Sequence, residues 1–259
     1  MIEYFNEDCL IGMARYPDKY FDLIITSPPY NLGNQHHTGN KRFKAYNKYS
    51  DDMPEEKYQI WQTNVLNECH RVLKDDGAMF YNHKNRIRNG IQISPYEWIL
   101  KTNFIVKQEI VWFNGSQNFD KCRFYPMTER LYWLQKTNKG HFRNNINSHD
   151  ICDWKAEGTD KQHKRSFPLS MVKDILKCFP SGGVVLDPFS GSGTVGVACH
   201  DMGFDAVGFE LDEDYYKASK QRLKDHMAQM RIEDMSNHIS GEDDKPEQIT
   251  LFDISELER

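Results

Sequence analysis

The sequence is short of several things, and each absence excludes a class of protein. No apolar stretch reaches about 18 residues, so no membrane-spanning helix and no membrane partner are expected. The opening Met1-Ile2-Glu3-Tyr4 lacks the basic and apolar regions of a signal peptide. The six cysteines, Cys9, Cys69, Cys122, Cys152, Cys178 and Cys199, are scattered and form no C-x-x-C pair. A zinc site and a disulfide framework are therefore not expected, and a reducing cytoplasm is the simplest home. No internal repeat is visible, and no obvious metal site or histidine base stands out.

An excess of positive charge is also missing. The net charge of −5 argues against a generic nucleic-acid binder, but the charges are segregated. From Asn31 to Ser50 the chain carries His36, His37, Lys41, Arg42, Lys44 and Lys48 with no acid, and Phe43, Tyr46 and Tyr49 are interleaved. The counterweight lies at the other end, where Glu233, Asp234, Glu242, Asp243, Asp244, Glu247, Asp253, Glu256 and Glu258 meet little opposing charge. That end, 233–259, reads as an acidic disordered tail, because it lacks the apolar surface needed to offset ordering entropy.

What is present is enough for a sizeable core: 259 residues, 39% hydrophobic and 27% charged. Ile2–Phe5, Phe21–Ile25, Ala78–Tyr81, Ile105–Phe113, Leu131–Leu134, Val184–Leu186 and Ala206–Glu210 read as strands. Pro54–Leu73, Ile91–Leu100, Pro168–Phe179, Thr194–Met202 and Tyr215–Met230 read as helices, with Cys9–Tyr16 a further turn or more of helix. Asp75-Asp76-Gly77 reads as a turn. The alternation predicts a mostly parallel sheet covered by helices on both faces. Two long polar segments interrupt it, Asn31–Asp52 and Lys139–Arg165, and long loops in a compact domain are usually functional or mobile.

Two stretches carry chemistry. The first is Thr26-Ser27-Pro28-Pro29-Tyr30-Asn31-Leu32-Gly33, at the exit of a buried strand. A plain turn takes Gly, Asn or Asp. Two consecutive prolines instead fix φ twice and remove two N–H donors, leaving a stiff hook with a hydroxyl before it, bare carbonyls along it and a ring after it. The second is Val184 to Ala198, which reads as strand, glycine turn and helix, with Gly191, Gly193 and Gly196 spaced G-x-G-x-x-G. Such a turn lets a ligand approach the backbone closely and offers helix N-terminal N–H groups to an anion. The next strand ends at Glu210, where a carboxylate can take both hydroxyls of a ribose. Taken alone, the glycine spacing also fits a nicotinamide dehydrogenase, and a helix-packing turn is the plainer alternative.

Together these residues resemble the S-adenosylmethionine-dependent DNA amino-methyltransferases in the motif order called the beta group, in which an S/D/N-P-P-Y/F motif precedes the cofactor motif. Ser27-Pro28-Pro29-Tyr30 comes first here and Asp187-Pro188-Phe189-Ser190-Gly191-Ser192-Gly193 comes late. Asn6–Leu10, Arg71–Phe80 and His163–Pro168 follow the family in the right order, and the likeness spans about residues 1–230. It departs at His163-Lys164-Arg165-Ser166, where relatives often carry His-Pro, and is loose over Pro126–Leu134.

The resemblance implies a Rossmann-like methyltransferase fold in permuted order: an α/β, doubly wound, mostly parallel sheet over 1–232, with a small irregular target-recognition insertion at 139–165. It implies S-adenosylmethionine as cofactor. Asp187, Phe189, Gly191 and Gly193 would shape its pocket, and Thr194 would receive the methionine carboxylate. Glu210 would hold the ribose, Asp8 would accept from the adenine amino group, and Phe167 and Pro168 would close the methionine side. For Asp8 a helix N-cap is an equal alternative. No metal is implied.

It further implies double-stranded DNA as substrate, with one base flipped from the stack so that the hook can reach its amino group. Ser27 Oγ and the Pro28 carbonyl would accept from that amino group, Pro29 would stiffen the loop and Tyr30 would stack on the base. Lys41, Arg42, Lys44 and Lys48 would meet phosphates; a solvated basic loop is the alternative. Ser at the head of the hook favours N4 of cytosine over N6 of adenine. RNA or protein-amide methylation and a non-catalytic nucleic-acid-binding relative are more distant readings. A homodimer and a cognate restriction endonuclease encoded elsewhere are compatible with this picture.

Overall fold

The computed structural model describes residues 1–32, 51–115, 122–155 and 168–241, with the side chains of 233–241 excepted. The chain falls into two compact units, Met1–Leu223 and Lys224–Arg259. In the first, strands β1 (Ile2–Phe5), β2 (Phe21–Thr26), β3 (Leu73–His83), β6 (Ile105–Phe113), β7 (Thr128–Gln135), β8 (Ile151–Cys152), β9 (Val184–Asp187) and β10 (Asp205–Phe209) form an 8-stranded sheet in the order β1-β10-β9-β2-β3-β7-β6-β8. From β1 to β3 every pairing is parallel, whereas β7 runs antiparallel to both β3 and β6. Strands β4 (Arg86–Arg88) and β5 (Ile91–Ile93) make a separate hairpin.

Alternation along the parallel strands explains the layering. A strand sends successive side chains to opposite faces. Ile24, Met79, Tyr81, Leu186 and Val207 therefore join one core cluster, beneath α1 (Cys9–Met13), α2 (Glu55–Val72) and α3 (Tyr96–Ile99). Leu23, Ile25, Ala78, Phe80, Val185 and Ala206 join the other, beneath α4 (Leu169–Lys177) and α5 (Thr194–Met202). Both faces being covered is why these strands read as near-continuous apolar runs. Helix α2 buries Tyr58, Val65, Leu66, Cys69 and Val72 on one stripe. Glu55 and Glu56 in its first turn and His70 and Arg71 in its last suit the helix dipole.

Three local expectations change. The turn at Asp75-Asp76-Gly77 is an irregularity inside β3: Phe21 pairs with Leu73 and Leu23 with Ala78, so β3 takes five residue steps where β2 takes two. The helix expected over Ile91–Leu100 is shorter. Asn89 and Gly90, at φ 50° and 80°, make the turn of the β4–β5 hairpin, so helix begins only at Tyr96. The final helix, α6 (Glu213–Gly241), runs past Met230, so the acidic segment 233–259 begins helical and its remainder lies outside the described residues.

Among the described residues no helix is long and apolar enough to cross a membrane.

Candidate active site

Both chemistry-bearing stretches leave the sheet at its carboxyl edge, side by side. Strand β2 ends at Thr26 and runs into the hook; its parallel neighbour β9 ends at Asp187 and runs into the glycine turn. From β9 the chain winds outward to β10, and from β2 it winds the other way to β3, so the gap between them is a topological switch point, where open α/β sheets bind ligands. A buried hydrogen bond ties the two exits together: Thr26 Oγ1 donates to Asp187 Oδ1 at 2.7 Å, and the same oxygen accepts from the Phe189 N–H at 3.1 Å. Burial pushes the Asp187 carboxyl up to about 7.

The hook is held from beneath. Tyr58 Oη donates to the Pro29 carbonyl at 2.7 Å and accepts from Gln62 Nε2 at 3.0 Å. His83 Nε2 lies 2.7 Å from the same hydroxyl. Because the Tyr58 proton goes to Pro29, His83 Nε2 is the donor in that pair; its Nδ1 then accepts from the Lys84 N–H at 2.9 Å and stands 2.8 Å from the Lys84 carbonyl with no hydrogen between them. Burial drives His83 down to about 3, so the ring is neutral. The chain of bonds continues from Gln62 Oε1 to Tyr81 Oη and on to Trp98 Nε1. The prolines stiffen the loop from within, and this buried network fixes where it points.

Above it four polar groups converge. Ser27 Oγ is 3.0 Å from Tyr30 Oη and 3.2 Å from Asn82 Oδ1. Tyr30 Oη is 2.7 Å from Asn82 Oδ1 and 2.8 Å from Glu129 Oε2. The Asn82 amide is oriented by its Nδ2, which donates to the Arg130 carbonyl at 3.1 Å. The Tyr30 ring packs on His83, with centroids 4.5 Å apart. Topology makes this possible. Asn82 is at the carboxyl end of β3, and antiparallel β7 brings its first residues to that same edge, with His83 opposite Arg130. Glu129 therefore reaches the hook from about a hundred residues away.

The glycine turn forms a cradle beside the hook. Gly191 and Gly193 take φ 48° and 79°, a conformation that favours glycine. A Cβ on Gly193 would lie 2.7 Å from Tyr4 Oη, so this glycine serves strand–helix packing. A Cβ on Gly191 would come no nearer than 3.9 Å to any other group, so Gly191 leaves room for a ligand. Glu210 caps the turn: Oε2 accepts from the Gly191 N–H at 2.9 Å and Oε1 from the Asp212 N–H at 2.8 Å. Thr194 opens α5, and its hydroxyl is 3.0 Å from Arg222 Nη1. Phe189 stands half-buried with Trp61 edge-on to it at 5.6 Å. Asp8 is an N-cap, accepting from the Leu10 N–H at 2.8 Å, and Pro168 is the buried N-cap residue of α4.

Phe167, Lys41, Arg42, Lys44 and Lys48 lie outside the described residues. The loop's ends are clasped next to the hook: Asn31 and Met53 bond reciprocally at 3.0 and 2.6 Å, and Asp51 accepts from the Asn31 N–H at 2.6 Å. Of segment 139–165, the described part is tied to the scaffold. Phe142 packs on Trp133 at 4.4 Å, and Trp154 Nε1 donates to Asp174 at 2.9 Å. A cavity of about 410 Å³ lined by Asp22, Lys74, Asp76, His141 and Gly183 opens at the opposite, amino edge of the sheet, and neither motif lines it. Sequence reading missed Asn82, Glu129, Tyr58 and His83. The one available signal was Asn-His closing a buried strand.

Known proteins share this fold. A family model described as DNA methylase matches residues 21–221. The type II methyltransferase M.ScaI of Streptomyces caespitosus is 27% identical over 257 residues, spanning 85% of this chain and 80% of that protein. The structure of PvuII DNA methyltransferase (cytosine-N4-specific) superposes with a TM-score of 0.70 at 17% identity, over 87% of this chain and 90% of that one. The M1.HpyAVI–SAM complex superposes with a TM-score of 0.61 at 20% identity, over 86% and 99%.

Proposed function

The chain belongs to the DNA methylase family, and from that membership we propose that it is a site-specific methyltransferase of double-stranded DNA. It moves a methyl group from S-adenosylmethionine to the exocyclic amino group of a flipped base. N4 of cytosine is the favoured target, on the strength of Ser27 at the head of the hook; N6 of adenine is the alternative. The observation that carries this reading is the pair of exits at one sheet edge, the hook after β2 and the open glycine turn after β9, joined through Thr26 and Asp187.

The residues present fit the cofactor. Gly191 leaves space for close approach, Phe189 offers a ring face, Glu210 sets a carboxylate beside the turn, and α5 begins with free N–H groups. Bound there, S-adenosylmethionine supplies an electrophilic methyl group. The protein's task is the amino nitrogen, whose lone pair is delocalised into the base. To react it must pyramidalise, and two acceptors aimed at its two hydrogens favour that shape in the transition state. Ser27 Oγ and the Pro28 carbonyl take those positions, since the Pro29 carbonyl is already engaged by Tyr58. A pre-set hook removes the need to order the acceptors during reaction.

The test is expression in cells free of DNA methylation, followed by base-resolved detection of modified bases. N4-methylcytosine in one sequence context is expected; N6-methyladenine would reassign the base, and neither would defeat the reading. In the same frame Lys41, Arg42, Lys44 and Lys48 meet backbone phosphates. Neutralising them should lower the salt slope of DNA binding by roughly one unit per lost contact, and an unchanged slope would remove them from the interface.

A further inference from the structure

The four groups above the hook have more acceptors than their hydrogens can serve. Tyr30 has one hydroxyl proton, yet Asn82 Oδ1 at 2.7 Å and Glu129 Oε2 at 2.8 Å are both acceptors when Glu129 is a carboxylate. The Asn82 amide cannot turn to donate, because its Nδ2 is committed to the Arg130 carbonyl. The other Glu129 oxygen accepts from Asn114 Nδ2 at 3.1 Å. One further proton, placed on Glu129, serves both of those Tyr30 contacts: Glu129 donates to Tyr30 and Tyr30 to Asn82, while the single Ser27 hydrogen goes to Tyr30 or to Asn82. The cluster is thus built to gain a proton. Burial first, and the Glu129 charge second, hold the Tyr30 phenol well above its ordinary range, so Tyr30 passes a proton on and does not ionise.

Resting on the methyltransferase reading above, we infer that Glu129, acting through Tyr30, sets the direction of the hydrogen-bond chain at the hook and is the final acceptor of the proton that methylation releases. Before reaction, the carboxylate draws the Tyr30 hydrogen toward itself. Tyr30 Oη is then free to accept from Ser27 at 3.0 Å, and a Ser27 lone pair faces the amino group it must hold. After the new N–C bond forms, the amino nitrogen carries one proton too many. That N–H bond breaks and its proton goes to Ser27 Oγ. The Ser27 hydrogen passes to Tyr30 Oη, and the Tyr30 hydrogen to Glu129 Oε2. Each oxygen in the chain gains one proton and loses one, except Glu129, which ends protonated and half-exposed, from where water can take the proton.

Glutamine at 129 keeps the shape but can donate to Tyr30, which reverses the chain and turns the Ser27 hydrogen toward the substrate. Single-turnover methylation of duplex DNA carrying the sequence found modified in expressing cells is the measurement. Glu129→Gln and Tyr30→Phe should each slow it about tenfold or more. The double variant should be no slower than the worse single one, and Glu129→Asp should recover part of the rate. Cofactor affinity by calorimetry should stay within about twofold of wild type. Without any substrate, Tyr30→Phe should shift the Glu129 carboxyl carbon signal in the NMR spectrum of ¹³C-glutamate-labelled protein.

Wild-type rates in both single variants, with Ser27→Ala slow, would remove the relay and leave the methyltransferase standing. Wild-type rates in all three would remove the hook clamp itself. A slow Glu129→Gln beside a fast Tyr30→Phe would also overturn the inference, because Glu129 would then act by another route. If Glu129→Gln fails to fold, Tyr30→Phe and Glu129→Asp decide by the same criteria.

Discussion

The cofactor turn is made from one stretch of chain, residues 184–210, whereas the polar cluster at the hook gathers Ser27 and Tyr30 from the end of β2, Tyr58 from α2, Asn82 and His83 from the end of β3, and Glu129 from the start of β7. The turn works largely through backbone: glycine dihedrals, N–H groups at a helix start that no side chain caps, and one carboxylate that accepts from Gly191. The hook works through side chains whose hydroxyls must point the right way. Backbone geometry is written locally, by residue type and spacing. Side-chain convergence is written in topology, which decides which strand ends share an edge. The two regions should therefore fail differently when altered.

The largest expected effect lies on the hook. In the proposed mechanism Ser27→Ala removes one acceptor from the reacting amino group and nothing from the cradle. It should lower the single-turnover rate by about two to three orders of magnitude, the range for losing one such transition-state group, with cofactor affinity near wild type by calorimetry. A loss of cofactor binding to match would show that hook and cradle are one site energetically.

The bridge between the regions comes next. Burial lifts Asp187 to about 7, against an ordinary carboxylate value near 4. At pH below about 4 folded and unfolded chains both carry the proton, and the buried group brings no penalty. As pH rises from about 4 to about 7 the unfolded chain ionises while the folded chain keeps its proton, so stability falls; above about 7 the loss is complete. The span is on the order of a few kcal/mol. Asp187→Asn keeps an oxygen for Thr26 and for the Phe189 N–H. It should flatten melting temperature against pH over that window. A wild-type melting temperature that does not fall between pH 5 and 8, or a variant with the same slope, would contradict the assignment.

Legibility in the sequence follows the same division. The parallel strands β2, β9 and β10 were readable because a strand buried on both faces is an unbroken apolar run. The hook and the glycine turn were readable because proline and glycine act on their own backbone. The helix expected over Ile91–Leu100 is cut short because Asn89-Gly90, a two-residue hairpin signal just before it, turns β4 into β5. Asp8 and Gly193 show the limit of motif reading: each sits where the family pattern puts it, yet its visible contact is a helix cap in one case and Tyr4 in the other. Glu129 was out of reach, since nothing within Thr128-Glu129-Arg130 says that β7 will run antiparallel beside β3.

A smaller effect tests the cradle alone. Glu210→Gln loses charge from the group that caps Gly191 and Asp212. Affinity for S-adenosylmethionine should weaken by about one to two orders of magnitude. At saturating cofactor the single-turnover rate should be close to wild type, the mirror image of Ser27→Ala. Unchanged affinity would leave Glu210 as a turn cap only.

The smallest effect concerns the support beneath the hook. Tyr58→Phe deletes one oxygen and with it three hydrogen bonds: the donor to the Pro29 carbonyl and the acceptor for both Gln62 and His83. His83 and Gln62 are fully buried, so their donors are left without a partner at about 1–3 kcal/mol each. For a chain of this size that lowers the melting temperature by about 2–4 °C per kcal/mol. The ring remains, so the packing of Tyr58 on Trp98 persists and the fold holds. Ser27, Pro28 and Tyr30 keep their chemistry, but the carbonyl that anchored them is free to move. The turnover rate should therefore fall only several-fold, and cofactor affinity should not change, because the bonds that Tyr58 loses run to the hook and to Gln62 and His83. If Tyr58→Phe instead weakened cofactor binding as much as turnover, the hook and the turn would share one support, and their independence would be lost.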